Sequence, residues 1–465
     1  MDKNNGAIYD ARKLGKPKMI ILGVQHMFAM FGATILVPIL TGLDISTTLL
    51  MAGLGTLLFH CITKFKVPAF LGSSFAFLGG YAAIKAFSPN DPNSMLPYAC
   101  LGVACAGLIY FILAAVIKAV GIEKVMRFFP PVVTGPIIIA IGLGLAPSAV
   151  SNCTTNWFLA VVALAVIVVF NIWGKGMAKI IPIILGLLIS YGTGLVLYFI
   201  SQANPDLIQN VPWLFSGGAD ANGVYQPIFD FTSLNTICDN ISKGHIFGSE
   251  GLIGIPIHWD KTVFGGIDYS NGALIASSII AIVPIAFATM MEHIGDICAI
   301  SSTTGNNYIK DPGLHRTLVG DGLATTLASL FGGPANTTYG ENTGVLALTR
   351  VYDPRVIRIA AYFAVAVSFF PIVSVIIGSI PSCIIGGISF VLYGMISAIG
   401  VRNVVENKVD FTKSRNLIVA AVILVCALGL SSDTVSFTIG SAAITLSPLA
   451  VASIAGIVLN AVFPR

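Results

Sequence analysis

Four carboxylates stand inside runs that are otherwise apolar: Glu292 and Asp296 in MMEHIGDICAI, Asp321 in VGDGLATTLASL, and Glu341 in PANTTYGENTG. A carboxylate accepts hydrogen bonds, and donates one as well when protonated. In an apolar setting it is costly, so acids placed there usually line a cavity and carry function. Glu292 and Asp296 are four residues apart, on one face of one helix. With Glu341, they would bring three carboxyls toward one cavity. Such a cluster suits a neutral ligand rich in N–H donors, and it suits coupled proton binding. It does not suit an anion. Asp321 reads as close to a helix end, where it caps or snorkels as readily as it acts. His293 points about 100° away from Glu292 around the helix and reads as a packing histidine. His26, in VQHMFAMFGATILVP, is a candidate to hydrogen-bond the site. Tyr339 and Tyr393 either stack on a flat ring or simply pack.

The elements that position these residues are membrane spans. The chain has 465 residues, 55% hydrophobic and 10% charged, against about 25% charged in a soluble protein. Runs such as WFLAVVALAVIVVFNIW and IIPIILGLLISYGTGLVLYFI recur along the chain and are long enough for a bilayer, which takes roughly 20 apolar residues per helix. The expected fold is an all-α polytopic membrane protein of 14 spans. They run at about 18–41, 45–62, 69–86, 96–120, 131–150, 156–174, 179–200, 271–300, 317–333, 335–350, 357–379, 382–401, 416–431 and 437–463. Polar residues run to Lys18, with no signal-peptide pattern before the first span. The eight cysteines show no CxxC and no metal-ligand spacing. Neither a metal nor a cofactor is expected, and the formal charge of +4 needs no nucleic-acid partner. Cys153 and Cys238 share one side, where either a disulfide or two unpaired thiols fits.

Twenty-two of the 25 Lys and Arg fall on one side of these spans; Lys85, Lys243 and Lys261 are on the other. The positive-inside rule puts the rich side, with both termini, in the cytoplasm. The long 201–270 segment then lies outside.

Two interrupted segments match in kind. Pro68 opens PAFLGSSFAFLGG in span three, and Pro334 opens PANTTYGENTG in span ten. PPVVTGPIIIAIG and IPSCIIGGISFVLYG open spans five and twelve. Each landmark recurs seven spans on. Seven is odd, so the halves are inverted repeats, with short extended stretches and half-helices in spans three and ten. Paired broken spans at corresponding places in inverted halves point to a transporter site.

These residues resemble a known family. QHMFAMFGATILVP (25–38), PAFLGSSFAF (68–77), EHIGD (292–296), DPGLHRTLVGDGLAT (311–325) and NTTYGENTGVLALTRVY (336–352) are similar to the nucleobase–ascorbate transporters, and most of all to bacterial uracil–proton symporters. The resemblance implies a core domain at 1–120 and 271–379 that holds substrate, and a gate domain at 121–200 and 380–465. It implies a homodimer in the bacterial cytoplasmic membrane that takes up uracil with a proton. Glu292 and Glu341 would then hydrogen-bond the base, and the backbone N–H groups of Phe75 and Gly340 would meet its carbonyl. Ala33, Tyr339 and Tyr393 would form walls. Asp296, Glu292 and His26 would serve proton coupling. One position departs from the pattern: Asp296 stands where uracil permeases carry His. Purine-transporting relatives often carry Asp there, but usually Gln where this chain has Glu341. The alternatives are a xanthine or purine-base symporter and, from another class, an anion transporter of the same 7+7 architecture. No HExxH and no clustered acidic metal motif is present.

Overall fold

The computed structural model describes residues 7–127, 130–430, 436–439 and 442–464; the side chains of 126, 180, 341, 436–439 and 442–445 lie outside that description. The chain is mostly helical. Its principal elements are α1 (Lys16–Thr41), α2 (Ile45–Ile62), β1 (Leu71–Ser73), α3 (Leu78–Lys85), α4 (Leu96–Val120), α5 (Pro131–Cys153), α6 (Trp157–Trp173) and α7 (Pro182–Ala203). After the 201–270 segment come α8 (Gly272–Ile282), α9 (Ala286–Thr304), α10 (Leu314–Leu330), β2 (Asn336–Thr338), α11 (Gly340–Thr349), α12 (Pro354–Ser368) and α13 (Pro371–Gly378). The chain closes with α14 (Ser382–Glu406), α15 (Ser414–Gly429), β3 (Ser436–Ile439), β4 (Ala442–Thr445) and α16 (Pro448–Val462). Among the described residues, seven helices are long and apolar enough to cross a membrane, counting Gly272–Thr304 as one.

Three expected spans differ. The run at 357–379 breaks at Phe369–Phe370, because Pro371 cannot continue a helix and holds Phe370 extended. The run at 271–300 carries a tight turn at Val283–Ile285, around Pro284, between α8 and α9. The run at 437–463 is not one helix. It is an antiparallel hairpin of β3 and β4, with Phe437 opposite Ile444, followed by α16. SFTI and AAIT are short runs of apolar and small residues, and a short apolar run cannot be assigned to helix or strand by periodicity alone. The 201–270 segment is ordered, with a small hairpin at 216–227 and a helix at Thr232–Ser242. Cys153 is buried, Cys238 is exposed, and both are free.

The chain forms two compact units: Met1–Ile141, Ile257–Ser368 and Ile396–Arg465 make the first, and Gly142–Pro256 with Phe369–Met395 the second. In the second, α6 packs along α7. In the first, α4 packs on α10 and α2 packs on α12, while α2 and α10 also meet each other. Glycine sets both close approaches. A Cβ on Gly107 would lie 2.7 Å from the Gly322 carbonyl oxygen, and one on Gly53 would lie 2.7 Å from that of Ala361. Backbones this near are how apolar helices gain contact inside a bilayer. Gly322→Val should therefore be lost from the folded pool. A Cβ there would sit 2.5 Å from that of Tyr110 and 2.6 Å from the Gly107 carbonyl oxygen. Its yield of monodisperse protein on size exclusion is the check.

The N-terminal residues fasten onto the first unit. Ile8 bridges Val351, Tyr9 donates its hydroxyl to the Thr304 carbonyl at 2.7 Å, and Ala11 N–H donates to Asp353 at 2.7 Å. Arg12 bonds Asp10 and holds its carboxyl down at about 2. A lowered folded value contributes above the unfolded value, near 4, and is lost as pH falls through about 2.

Candidate functional site

The two Pro-Ala segments cross at the centre of the first unit. β1 and β2 pair antiparallel, with Leu71 opposite Thr338, Gly72 opposite Thr337 and Ser73 opposite Asn336. Ser74 N–H donates to the Ala335 carbonyl at 2.8 Å, and Tyr339 N–H donates to that of Phe70 at 3.0 Å. Extended backbone in an apolar interior must satisfy its polar groups from elsewhere in the protein, and the flanking helices do this in matched fashion. Thr56 on α2 exchanges bonds with Leu71, accepting its N–H at 2.9 Å. Thr325 on α10 donates to the Asn336 carbonyl at 2.6 Å. His60 Nε2 lies 2.9 Å from the Ala69 carbonyl, and Asn336 Nδ2 donates to that of Met51 at 2.9 Å.

Each strand turns directly into a helical start. β1 leads through Phe75–Phe77 into α3, and β2 leads through Tyr339 into α11. A helix start leaves N–H groups without intrahelical partners and carries the positive end of the peptide dipoles. Phe75 is buried at the first of these starts. Gly340 is exposed at the second and is the first residue of α11. Glu341 follows it; its side chain lies outside the described residues.

Glu292 and Asp296 are both half-buried, one turn apart on α9. Asp296 reaches the crossing: its Oδ2 accepts the Thr338 hydroxyl at 2.8 Å, and its Oδ1 lies 3.9 Å from where a Cβ on Gly340 would stand. A carboxylate thus sits beside the start of α11. Ala33 and His26 are buried on α1, and neither ring nitrogen of His26 has a partner among the described residues. Tyr339 packs over Gly72, where a Cβ would come within 2.5 Å of its ring. Its hydroxyl donates to the Ser73 carbonyl at 2.9 Å and faces Thr34 Oγ1 at 3.4 Å. Tyr393 is buried in the second unit, on α14. Tyr339→Phe should cost about 1 kcal/mol of stability, read as a modest fall in melting temperature.

Asp321 departs most from expectation. It neither caps nor snorkels. It is the eighth residue of α10, which begins at Leu314, and it is fully buried. Its Oδ2 lies 3.4 Å from His293 Nδ1. His293 is also fully buried, edge-on to Phe59, with Nδ1 3.4 Å from Thr338 Oγ1. Thr338 thereby joins Asp296 to the His293–Asp321 pair. Sequence reasoning set His293 aside because it faces away from Glu292. The signal that could have found it is Asp321 itself, an acid within an apolar run, which needs a cationic or donor partner. Tyr110 extends the polar set on α4, donating to Thr289 at 2.6 Å.

Residues 17–436 match the model of a permease family. The chain is 37% identical to the uracil permease of Bacillus caldolyticus over 456 residues, covering 96% of this chain and 92% of that protein. It is 34% identical over 464 residues to the probable uracil permease of Haemophilus influenzae, covering 98% and 96%. It is also 34% identical over 464 residues to the putative pyrimidine permease RutG of Escherichia coli, covering 99% and 93%. Among solved structures, the transmembrane domain of a cyanobacterial bicarbonate transporter, BicA, matches with TM-score 0.57 at 13% identity, covering 97% of this chain and 99% of that one. SLC26A9 matches with TM-score 0.53 at 11% identity, covering 97% and 65%. These two likenesses concern the fold alone. The sequence matches establish the family: the chain belongs to the nucleobase–ascorbate transporters, as a multi-pass membrane permease and not an enzyme.

Proposed function

We propose that the chain takes up uracil together with a proton across the bacterial cytoplasmic membrane by alternating access, with both termini inside. Relatives at 34–37% identity over nearly the whole chain are named uracil or pyrimidine permeases. The observation that carries the site is the crossing of β1 and β2, with Asp296 bonded to Thr338 and Glu292 one turn away. Glu292 and Glu341 accept the ring N–H groups. Backbone N–H groups at Phe75 and Gly340 meet a ring carbonyl. Ala33, Tyr339 and Tyr393 shape the walls.

The fold we propose is fourteen spans in two inverted repeats of seven, working as a homodimer. The exchange of partners supports the repeat: α4 packs on α10 as α2 packs on α12. Spans 1–4 and 8–11 hold substrate, spans 5–7 and 12–14 form the gate, and 201–270 lies outside.

The coupled proton is carried by Asp296, with Glu292 and His26 beside it in the proposal. The Thr338–His293–Asp321 chain backs Asp296. Asp296→Asn is expected to flatten the pH dependence of uptake. Unchanged dependence would place the proton elsewhere.

A second reading, a xanthine or other purine-base symporter, is favoured by Asp296 itself, which stands in the place of a uracil permease's His. Competition by excess xanthine separates the two. The anion-transporter reading rests on fold, and fold does not fix function. Carboxylates at the crossing oppose it. Inhibition of uptake by bicarbonate would support it.

A further inference from the structure

A cavity of about 380 Å³ lies in the first unit away from the crossing, where the start of α5, the end of α14, the start of α15 and the end of α16 come together. Four cations line it, Arg127, Lys408, Lys413 and Arg415, against one carboxylate, Asp410. That carboxylate is turned into its own loop, where Oδ1 accepts both the N–H and the hydroxyl of Thr412, at 2.9 and 2.6 Å. Arg415 is held from below by neutral groups. Its Nη2 donates to the backbone carbonyl and the side-chain oxygen of Asn460, both at 2.8 Å. Its Nη1 meets Asn416 at 3.2 Å, and its buried Nε has no partner among the described residues. No carboxylate pairs with Arg415 among the described residues. A half-buried guanidinium anchored only by neutral groups, with lysines at the rim, is built for an anion.

Pro130, Pro131, Val132 and Val409 give the wall an apolar part, and Asn407, Asn416 and Asn460 complete it. Leu417 and Ile418 follow Asn416 on α15, and Val462 comes two residues after Asn460 on α16; they are 55%, 46% and 71% exposed. A cationic pocket neighboured by exposed apolar residues fits a molecule with an anionic head and an apolar tail. A soluble phosphate would use only the cations. We infer that this pocket binds the phosphate headgroup of an anionic phospholipid, with its chains lying along α15 and α16. Basic pockets between helix ends at a membrane surface are suited to such headgroups. The choice of leaflet rests on the cytoplasmic orientation proposed above; the chemistry of the pocket does not.

The test uses the purified full chain, incubated in mixed micelles of equal phosphatidylglycerol and phosphatidylcholine, stripped by washing, with retained lipid quantified by mass spectrometry. The wild type is expected to keep phosphatidylglycerol over phosphatidylcholine by about tenfold or more. The double variant Lys408→Gln, Lys413→Gln should retain about 25-fold less, at roughly fivefold per lysine. The exposed pair Lys175→Gln, Lys179→Gln should retain as much as wild type, and excess inorganic phosphate should not displace the lipid. Equal loss in the two double variants, or no preference in the wild type, would overturn the inference. So would full displacement by phosphate, which would make the pocket a free-anion site. Should the lysine variant fail to fold, salt decides on the wild type: retention falling steeply with sodium chloride supports the site, and flat retention refutes it.

Discussion

Uracil affinity is expected to fall by about 10- to 100-fold in Glu292→Gln, the range spanned by loss of a charge-assisted hydrogen bond. The substitution keeps the shape of the side chain and changes its hydrogen bonding. A carboxylate accepts at both oxygens, whereas an amide accepts at one end and donates at the other. A ring N–H that met an acceptor now meets a donor, and sites built for one pattern reject the other by large factors. Glu292 is half-buried one turn from Asp296, and the Asp296 carboxylate already holds the Thr338 hydroxyl and faces Gly340. Glu341→Gln should act in the same direction, since Glu341 is the second residue of α11 at the same crossing. Calorimetric titration of uracil into the purified variants measures both. Affinities within about twofold of wild type would remove these carboxylates from the site.

Removing one partner of the His293–Asp321 pair is expected to destabilise the protein by about 3–5 kcal/mol. Both side chains are fully buried, with His293 Nδ1 3.4 Å from Asp321 Oδ2. Asp321→Ala strands the imidazole, and His293→Ala strands the carboxylate. The double variant should cost less than the sum of the two, because neither group is then left alone. An acid that only capped or snorkelled would cost about 1 kcal/mol or less and would show no coupling. Denaturation of the four proteins in one detergent completes the cycle, and additive losses would refute the pairing. Because Thr338 links the pair to Asp296, both single variants should also alter the pH dependence of uptake in whatever protein remains folded.

The acids were legible in the sequence because their cost is local. Four carboxylates in apolar runs stand out without any knowledge of the fold, and the four-residue spacing of Glu292 and Asp296 places them on one face. The two Pro-Ala segments were legible as a pair for the same reason. Their crossing was not, since pairing Leu71 with Thr338 joins residues more than 260 apart, and no local pattern encodes a register across that distance. Thr338 is one of three small polar residues in NTT, and nothing in the triplet marks which of them meets Asp296. Asp321 was misplaced because its helix starts at Leu314, three residues earlier than the apolar pattern suggested. The β3–β4 hairpin was hidden in an apolar run, where helix and strand share one signature. The family resemblance supplied what periodicity could not: the family, and with it the proposed substrate class.

Cells expressing the chain should take up labelled uracil faster at pH 6 than at pH 8, lose that uptake on addition of an uncoupler, and show no competition from excess xanthine. That outcome would establish proton-coupled uracil transport. Uptake that is absent for uracil, indifferent to the uncoupler or blocked by xanthine would contradict it. In the last case, Asp296 would mark a change of substrate within the same fold.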